Sequence, residues 1–165
     1  MRFTHHAKNK LRQNRWSQGE ALSVILNPLK VDADECCNPR YLGYIRGALA
    51  RVVVAADDPD VVITVHPEEA PMKAYFDSEA NAVSIDLISV DFWDDGDEFD
   101  EYYCTIAFSK GHLVNIGLLN PSENLHLLEA VAASYDLEAS NLIAVAKAAL
   151  ATPDRSVTTG DRVAA

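Results

Sequence analysis

The sequence predicts an α+β protein: two N-terminal helices on an antiparallel sheet, then a second, small antiparallel β domain closed by two C-terminal helices. Three observations predict this class. Helix N-capping patterns occur twice within the first 27 residues. Two runs rich in β-branched residues, 50–56 and 61–66, flank a turn of Asp and Pro, which is typical of an antiparallel hairpin. Apolar residues return at helical spacing beyond residue 122.

The two N-terminal helices are predicted from their start signals. Thr4 is placed to cap a first helix over about 5–14. Ser17 and Glu20 have the spacing of a capping box, in which each residue satisfies a backbone N–H of the other. The second helix therefore begins after Ser17, and Pro28 ends it because proline cannot continue a helix.

The first sheet is predicted from short strands that follow these helices. They cover about residues 29–34, 40–46, 50–56 and 61–66. The last two runs are so continuously apolar that they suit the centre of a sheet. Arg51 near the start of one strand and His66 at the end of the other then lie near the same edge of the sheet.

A change in composition predicts two domains, 1–67 and 72–165, joined by a linker over 68–71. The second domain is predicted to contain strands, an acidic loop over 91–101, two helices and a frayed tail over 155–165. The strands are placed at 74–76, 82–87, 101–108 and 113–119, and the helices at 123–135 and 137–151.

Charge is distributed unevenly along the chain, whose formal net charge is −11. Residues 1–55 hold nine Lys or Arg and four Asp or Glu, whereas residues 72–165 hold five basic and sixteen acidic residues. Opposite charge in the two parts indicates that they face each other, or that the first part faces an anion. Uneven surface charge without a function is the alternative.

Several classes of protein are excluded or disfavoured. No apolar run is long enough to span a bilayer, and the N-terminus lacks the apolar core of a signal peptide. The three cysteines show no CxxC spacing, which favours reduced thiols and a cytoplasmic location. No third ligand accompanies His5 and His6 at a metal-binding spacing, so no metal and no cofactor are expected. Binding of DNA by the C-terminal helices is disfavoured because Lys147 is their one basic residue.

Residues 4–67 resemble, in order, a small prokaryotic family of domains of unknown function that is related to the BrnT and RelE toxins. The matching elements are His6-Ala7-x-x-x-Leu11, Ser17-x-x-Glu20, Leu26-Asn27-Pro28, Arg40-Tyr41, Gly47, Arg51-Val52-Val53 and Val62-Ile63-Thr64-Val65. The resemblance implies a RelE/BrnT-like fold.

Residues 72–122 look like a different small family, often encoded beside such toxins and thought to include antitoxins. The matching elements are Met72-Lys73-x-Tyr75-x-Asp77-x-Glu79-Ala80-x-Ala82 and Gly111-His112-Leu113-Val114-x-Ile116-x-Leu118-Leu119-Asn120. Together the two parts resemble a toxin and an antitoxin fused head to tail, with Met72 as a former start residue.

The first resemblance implies an endoribonuclease that cuts RNA without a metal. Cations must then bind the phosphates, while a general base and a general acid move protons at the 2′-hydroxyl and the 5′-oxygen. We expect His6 and His66 to transfer protons, Arg40 and Arg51 to hold phosphate, and Lys10 to assist. RNA is the expected partner of the first domain, and contact with the acidic second domain is expected to inhibit it.

Each of these assignments has an alternative. His6 is also an ordinary residue for the start of a helix, and Arg51 and His66 also suit solvated strand ends. The acidic loop with its aromatic residues either imitates RNA over the basic site or is a solvated loop. The competing class is a non-catalytic interaction or scaffold module that dimerises or binds a protein partner. Lys10 and Asn14 support that class, because relatives usually have arginines there.

Overall fold

A computed structural model of the chain describes residues 1–69, 71–90 and 93–161, the last three of these by their backbone alone. Within those residues the protein is α+β, with two sheets and five helices, so the predicted class is confirmed. The chain divides into two compact units, Met1–Glu68 (unit 1) and Glu69–Ala165 (unit 2). None of the described helices is long and apolar enough to cross a membrane.

Unit 1 is a five-stranded sheet with two helices. In chain order its elements are β1 (Arg2–Phe3), α1 (His5–Asn14), α2 (Gln18–Leu26), β2 (Lys30–Ala33), β3 (Pro39–Ile45), β4 (Ala48–Val54) and β5 (Val61–Pro67). The strand order is β1-β5-β4-β3-β2, and β4 takes the central position, as its apolar sequence predicts. All neighbours are antiparallel except β1 and β5.

The helices of unit 1 lie on one face of its sheet. Ala7 and Leu11 of α1 and Val24 of α2 join alternate residues of β4 and β5, such as Val52 and Val65, in one buried cluster. Because side chains alternate between the two faces of a strand, the residues between them point away from the helices.

The local signals of unit 1 form as the sequence predicts. The Thr4 hydroxyl accepts a hydrogen bond from the Ala7 N–H, and Ser17 with Glu20 forms the complete capping box. The turn between β3 and β4 consists of Arg46 and Gly47, both at positive φ, which is the geometry that two-residue hairpins prefer.

Unit 2 is an antiparallel sheet of six strands with three helices. Its elements are β6 (Pro71–Asp77), β7 (Ala82–Asp86), β8 (Asp95–Asp100), β9 (Cys104–Ser109), β10 (His112–Leu119), α3 (Pro121–Asn124), α4 (Leu127–Tyr135), α5 (Ala139–Ala151) and β11 (Ser156–Asp161). The strand order is β11-β6-β7-β10-β9-β8. Its core joins alternate residues of the sheet, such as Ile85 and Ile116, to Leu128 of α4 and Leu142 of α5.

The acidic segment predicted as a loop over 91–101 is mainly a strand, so this prediction was wrong. Residues 95–100 form β8, which pairs with β9 along the free edge of the sheet. Asp and Gly have low strand propensity, but pairing with a neighbouring strand overrides that preference. The predicted strand over 101–108 starts later, at Cys104, because residues 101–103 form the turn. Asp91 and Phe92 lie outside the described residues.

The end of unit 2 also differs from the prediction. Three helices replace two, because α3 is separate from α4. The tail predicted as frayed forms β11 on β6 over Ser156–Asp161, and residues 162–165 lie outside the described part. Asp154 fixes the approach to β11: its carboxylate accepts from the Ser78 N–H and hydroxyl, and its N–H donates to the Phe76 carbonyl.

Candidate functional site

The pairing of β4 with β5 places Arg51 directly opposite His66. Residues directly opposite each other in a sheet point to the same face. Leu42 of β3 is the next partner of Arg51, and Arg40 lies two residues earlier, on the same face. Asp32 of β2 is in turn the partner of Arg40. The register therefore assembles these polar residues on the face turned away from α1 and α2.

Two carboxylates hold the arginines of this face. The Arg51 Nη1 lies 3.1 Å from the Asp32 Oδ1, and the Arg51 Nη2 donates to the Glu68 Oε1 at 2.8 Å. The Arg40 Nε donates to the same Asp32 Oδ1 at 2.7 Å. We call Asp32, Arg40, Arg51, His66 and Glu68 the Arg51 cluster, and we count Lys10 of α1 with it because the Lys10 charge acts on His66.

Burial and charge act in opposite directions on Arg51 and Asp32. The Arg51 side chain is only 14% exposed, and this burial lowers its pKa. The hydrogen bond to Glu68 and the charges of Glu68 and Asp32 outweigh burial, so the pKa of Arg51 is raised. Burial likewise raises the pKa of Asp32, but the Arg40 hydrogen bond and the two arginine charges lower it overall. Both groups therefore stay charged.

His66 is neutral at neutral pH. Burial lowers its pKa most, the Arg51 and Lys10 charges lower it further, and Glu68 raises it without restoring its ordinary value. The His66 Nε2 lies 3.5 Å from the Glu68 Oε2. Because a neutral imidazole meets a carboxylate by donating a proton, Nε2 carries the hydrogen and Nδ1 keeps a lone pair. His66 thus has one nitrogen free to accept a proton.

The charge of Lys10, on α1, acts on His66. The Thr4 hydroxyl donates to the Ile63 carbonyl at 2.7 Å and fixes the start of α1 beside β5. From Thr4 to Lys10 the helix rises about 9 Å, and from Ile63 to His66 the strand rises about 10 Å. Lys10 therefore lies level with His66, consistent with the effect of its charge on that ring.

His6 stands apart from the cluster. It is exposed on α1, one helical turn before Lys10, and makes no hydrogen bond or ion pair within the described part of the chain. The neighbouring His5 is hydrogen-bonded to Asn9. Of the five residues singled out from the sequence, the structure therefore brings together Arg40, Arg51 and His66, places Lys10 where its charge acts on His66, and gives His6 no contact with them.

Sequence reasoning missed the two acidic members of the cluster. In the sequence, Glu68 falls in the predicted linker and Asp32 has no predicted role. Glu68 stands two residues after His66, the spacing that puts side chains on one face of a continuing strand, so this signal was present in the sequence. Asp32 became assignable only with the register that pairs it with Arg40.

The chemistry of the cluster is that of an anion site with a base. Its three cations and two carboxylates leave one excess positive charge while His66 is neutral. An incoming anion has to compete with Asp32 and Glu68 for the guanidinium groups. Among the residues that the structure describes, no group of three or more His, Cys, Asp or Glu could hold a metal ion.

Comparisons with known proteins found no match for this chain: no family model, no curated protein and no solved structure matches it.

Proposed function

We propose that unit 1 is a metal-independent endoribonuclease-like domain of the RelE/BrnT kind, and that the acidic unit 2 is its antitoxin-like inhibitor. One observation carries the proposal. Arg51, a permanent cation, lies opposite His66, an imidazole that is neutral at neutral pH. Cleavage of RNA without a metal needs this combination, because a cation must stabilise the phosphate while a base removes a proton.

His66 is the proposed general base. Its Nδ1 accepts the proton of the 2′-hydroxyl, the 2′-oxygen forms a bond to phosphorus, and the bond from phosphorus to the 5′-oxygen breaks. The products are a 2′,3′-cyclic phosphate and a 5′-hydroxyl. The 5′-oxygen takes its proton from water or from His6, which is exposed on α1, one turn before Lys10, and has no contact with the cluster in the free protein.

Arg40 and Lys10 are the proposed first contacts for the phosphate. Arg40 is bound to Asp32 through its Nε, and its two terminal nitrogens make no hydrogen bond within the described residues. Lys10 is half-buried and forms no ion pair there. Arg51 becomes available to the phosphate only where the phosphate replaces the carboxylates of Asp32 and Glu68.

The charge of unit 2 supports the role proposed for it. Residues 72–165 hold sixteen acidic and five basic residues. An inhibitor of an RNA-binding site gains from having the same sign of charge as RNA.

The test compares RNA cleavage by the full chain and by residues 1–69, in the presence of EDTA. Unit 1 has its own buried cluster, which supports folding of this fragment, and circular dichroism checks it. We expect cleavage by the fragment, little by the full chain, and loss of cleavage in the fragment with His66→Ala. His5→Ala is the matched control, since His5 is exposed and lies outside the cluster. A folded fragment that leaves RNA intact contradicts the nuclease proposal.

A second candidate is a non-catalytic module that dimerises or binds a protein. The observation in its favour is that both Arg40 and Arg51 are already paired with carboxylates of unit 1. Buried or half-buried ion pairs of this kind often serve structure alone. Sedimentation of the inactive but folded fragment over a range of concentrations would then show self-association.

A further inference from the structure

A cavity of about 490 Å³ opens on the sheet of unit 2. One row of directly paired residues crosses five strands beneath it. From β6 to β8 this row consists of Tyr75, Ser84, Gly117, Thr105 and Glu98. Neighbours in the chain, such as Val83 and Leu118, point into the core with α4 and α5, so the row lies on the opposite face. The volume is within the range of sites for small molecules.

The floor of the cavity is made of small residues. Ser84, Gly117 and Thr105 occupy the middle of the row. A Cβ atom at Gly117 would lie 2.5 Å from the Thr105 Oγ1, so a larger residue there would force the Thr105 side chain to shift. The absence of a side chain at Gly117 keeps the floor open between three strands.

The walls are aromatic and exposed. Tyr75, Tyr102 and Tyr103 line the cavity with 40%, 69% and 40% of their surface exposed, and Leu119 adds a further apolar wall. The rings of Tyr102 and Tyr103 lie 6.3 Å apart, tilted by 56°. Their hydroxyls make no hydrogen bond within the described residues. Apolar surface grouped around a cavity in this way marks a binding site.

The charge around the cavity favours a positively charged ligand. Asp77, Glu98, Asp100 and Glu101 line it, and no basic side chain does so among the described residues. Asp77 and Asp100 each accept two backbone N–H groups of adjacent turns through one oxygen. Glu98 and Glu101 are exposed, and their carboxylates make no hydrogen bond or ion pair within the described part of the chain. A cation is the complement of this surface.

We propose that this cavity binds a linear polyamine, a methylene chain that carries separated ammonium groups. The methylene groups lie along the small-residue floor, and ammonium groups meet the tyrosine faces and the carboxylates. Glu98 on β8 and Asp77 on β6 lie four strand spacings apart, about 19 Å along the sheet. Separated charges of this kind match an extended chain with several cationic groups. A compact metal ion would gain nothing from the aromatic walls.

Titration calorimetry of the full chain with spermine tests the proposal, at low and at physiological salt. We expect saturable one-to-one binding. Glu98→Gln and Glu101→Gln should each weaken binding about five-fold, the value of a good exposed ion pair. Tyr102→Ala should weaken it about two- to five-fold, and Tyr102→Phe should leave it unchanged because the ring face remains. All three residues are exposed, so these variants keep the fold.

Glu129→Gln is the matched control, since Glu129 is exposed on α4 and does not line the cavity. It should bind spermine as well as the unaltered chain does. Three outcomes would overturn the proposal: binding that does not saturate, binding that falls equally in Glu129→Gln, or displacement of spermine by Mg²⁺ at equal ionic strength. A lysine-rich peptide that binds here while spermine does not would overturn it as well, in favour of a protein partner.

Discussion

Arg51 and His66, directly opposite each other across β4 and β5, share the carboxylate of Glu68. One oxygen of Glu68 accepts from the Arg51 Nη2 at 2.8 Å, and the other lies 3.5 Å from the His66 Nε2. The protonation of the imidazole is therefore tied to a carboxylate that is itself tied to a buried arginine. A neutral substitution at Arg51 or at Glu68 should therefore change the pKa of His66 in a predictable direction.

The pKa of His66 should move in opposite directions in two variants. Lys10→Met removes a charge that lowers this pKa and should raise it, whereas Glu68→Gln removes a charge that raises it and should lower it further. The ring proton resonances of His66 in an NMR titration measure both shifts. Asn9→Ala removes the partner of His5 and is the control that should leave His66 unchanged. Shifts of the same sign in the first two variants would contradict the geometry of the cluster.

The lowered pKa of His66 also predicts how stability depends on pH. In the folded chain the pKa lies below the ordinary value of 6.5, so the unfolded chain binds the proton more readily. Stability should then decrease as the pH falls from above 6.5 towards the folded-state pKa, and level off below it. Urea denaturation at several pH values measures this decrease. His66→Gln should reduce it, and an unchanged pH dependence in that variant would contradict the prediction.

The capping box of α2 should contribute measurably to the stability of unit 1. Ser17→Ala leaves a helix N–H without its partner and should reduce the free energy of unfolding by about 1 kcal/mol. Ser17→Thr is the matched control, because the threonine hydroxyl both accepts from the Glu20 N–H and donates to the Glu20 carboxylate as the serine hydroxyl does. Fluorescence of Trp16, which packs against the core of unit 1, reports the transition in a Trp93→Phe background. Equal stability of the Ala and Thr variants would contradict the role of the cap.

The stabilising effect of the Glu20 carboxylate in this capping box should be lost only at strongly acidic pH. The hydrogen bond from Arg46, followed by those from the Ser17 N–H and hydroxyl, lowers the pKa of Glu20 to about 2. The contribution of Glu20 is therefore present above the ordinary value of 4.5 and is lost as the pH falls towards 2. Glu20→Gln should remove this acid dependence of the Trp16 transition. A wild-type titration midpoint for the Glu20 carboxyl near 4.5, measured by carbon NMR, would contradict it.

Gly117→Ala should destabilise unit 2 by about 1–3 kcal/mol, because its new methyl group overlaps Thr105. Thr105→Ala removes the overlapping hydroxyl, so the double variant should recover most of the loss. Gly96→Ala is the control, since a Cβ there lies 3.5 Å from the Ile106 carbonyl, an ordinary contact. Thermal unfolding measures the four variants against the unaltered chain, and additive losses in the double variant would refute the overlap.

The three thiols should differ sharply in reactivity. Cys36 and Cys37 are exposed, whereas Cys104 is buried. Burial, followed by the negative charge of Asp100, raises the pKa of Cys104 to about 11, which keeps it protonated at mildly alkaline pH. A thiol reagent such as DTNB should titrate two groups in the folded chain and a third after denaturation. Rapid reaction of Cys104 in the folded Cys36→Ser, Cys37→Ser variant would contradict the burial.

The relation of Arg51 to His66 could be predicted because it depends on local rules. Two apolar runs and a short turn define a hairpin, and the hairpin fixes which polar ends meet. The helix caps are similarly local, because Thr4, Ser17 and Glu20 act within one turn of the chain. The protonation state of His66 could not be predicted, since it depends on burial and on Lys10, which is distant in sequence.

The strands that were missed depend on partners far along the chain. Asp and Gly in β8 have low strand propensity, and only the neighbouring β9 makes them a strand. β11 pairs with β6, about eighty residues earlier, and Asp154 with Ser78 secures that return. Pairing at such separation leaves no periodic signal within either segment, so the tail resembles a frayed end.

The acidity of β8 has a meaning for the behaviour of the chain in solution. An edge strand presents unpaired backbone N–H and C=O groups to which another chain can add, and charged side chains oppose that addition. Asp95, Asp97, Glu98 and Asp100 place four such charges along the edge that β8 forms. Two copies that approach edge to edge would bring these charges together, so the charges of β8 oppose pairing between copies along this edge. Replacing these four acidic residues with the corresponding amides would leave the sheet intact and allow β8 of one copy to pair with β8 of another.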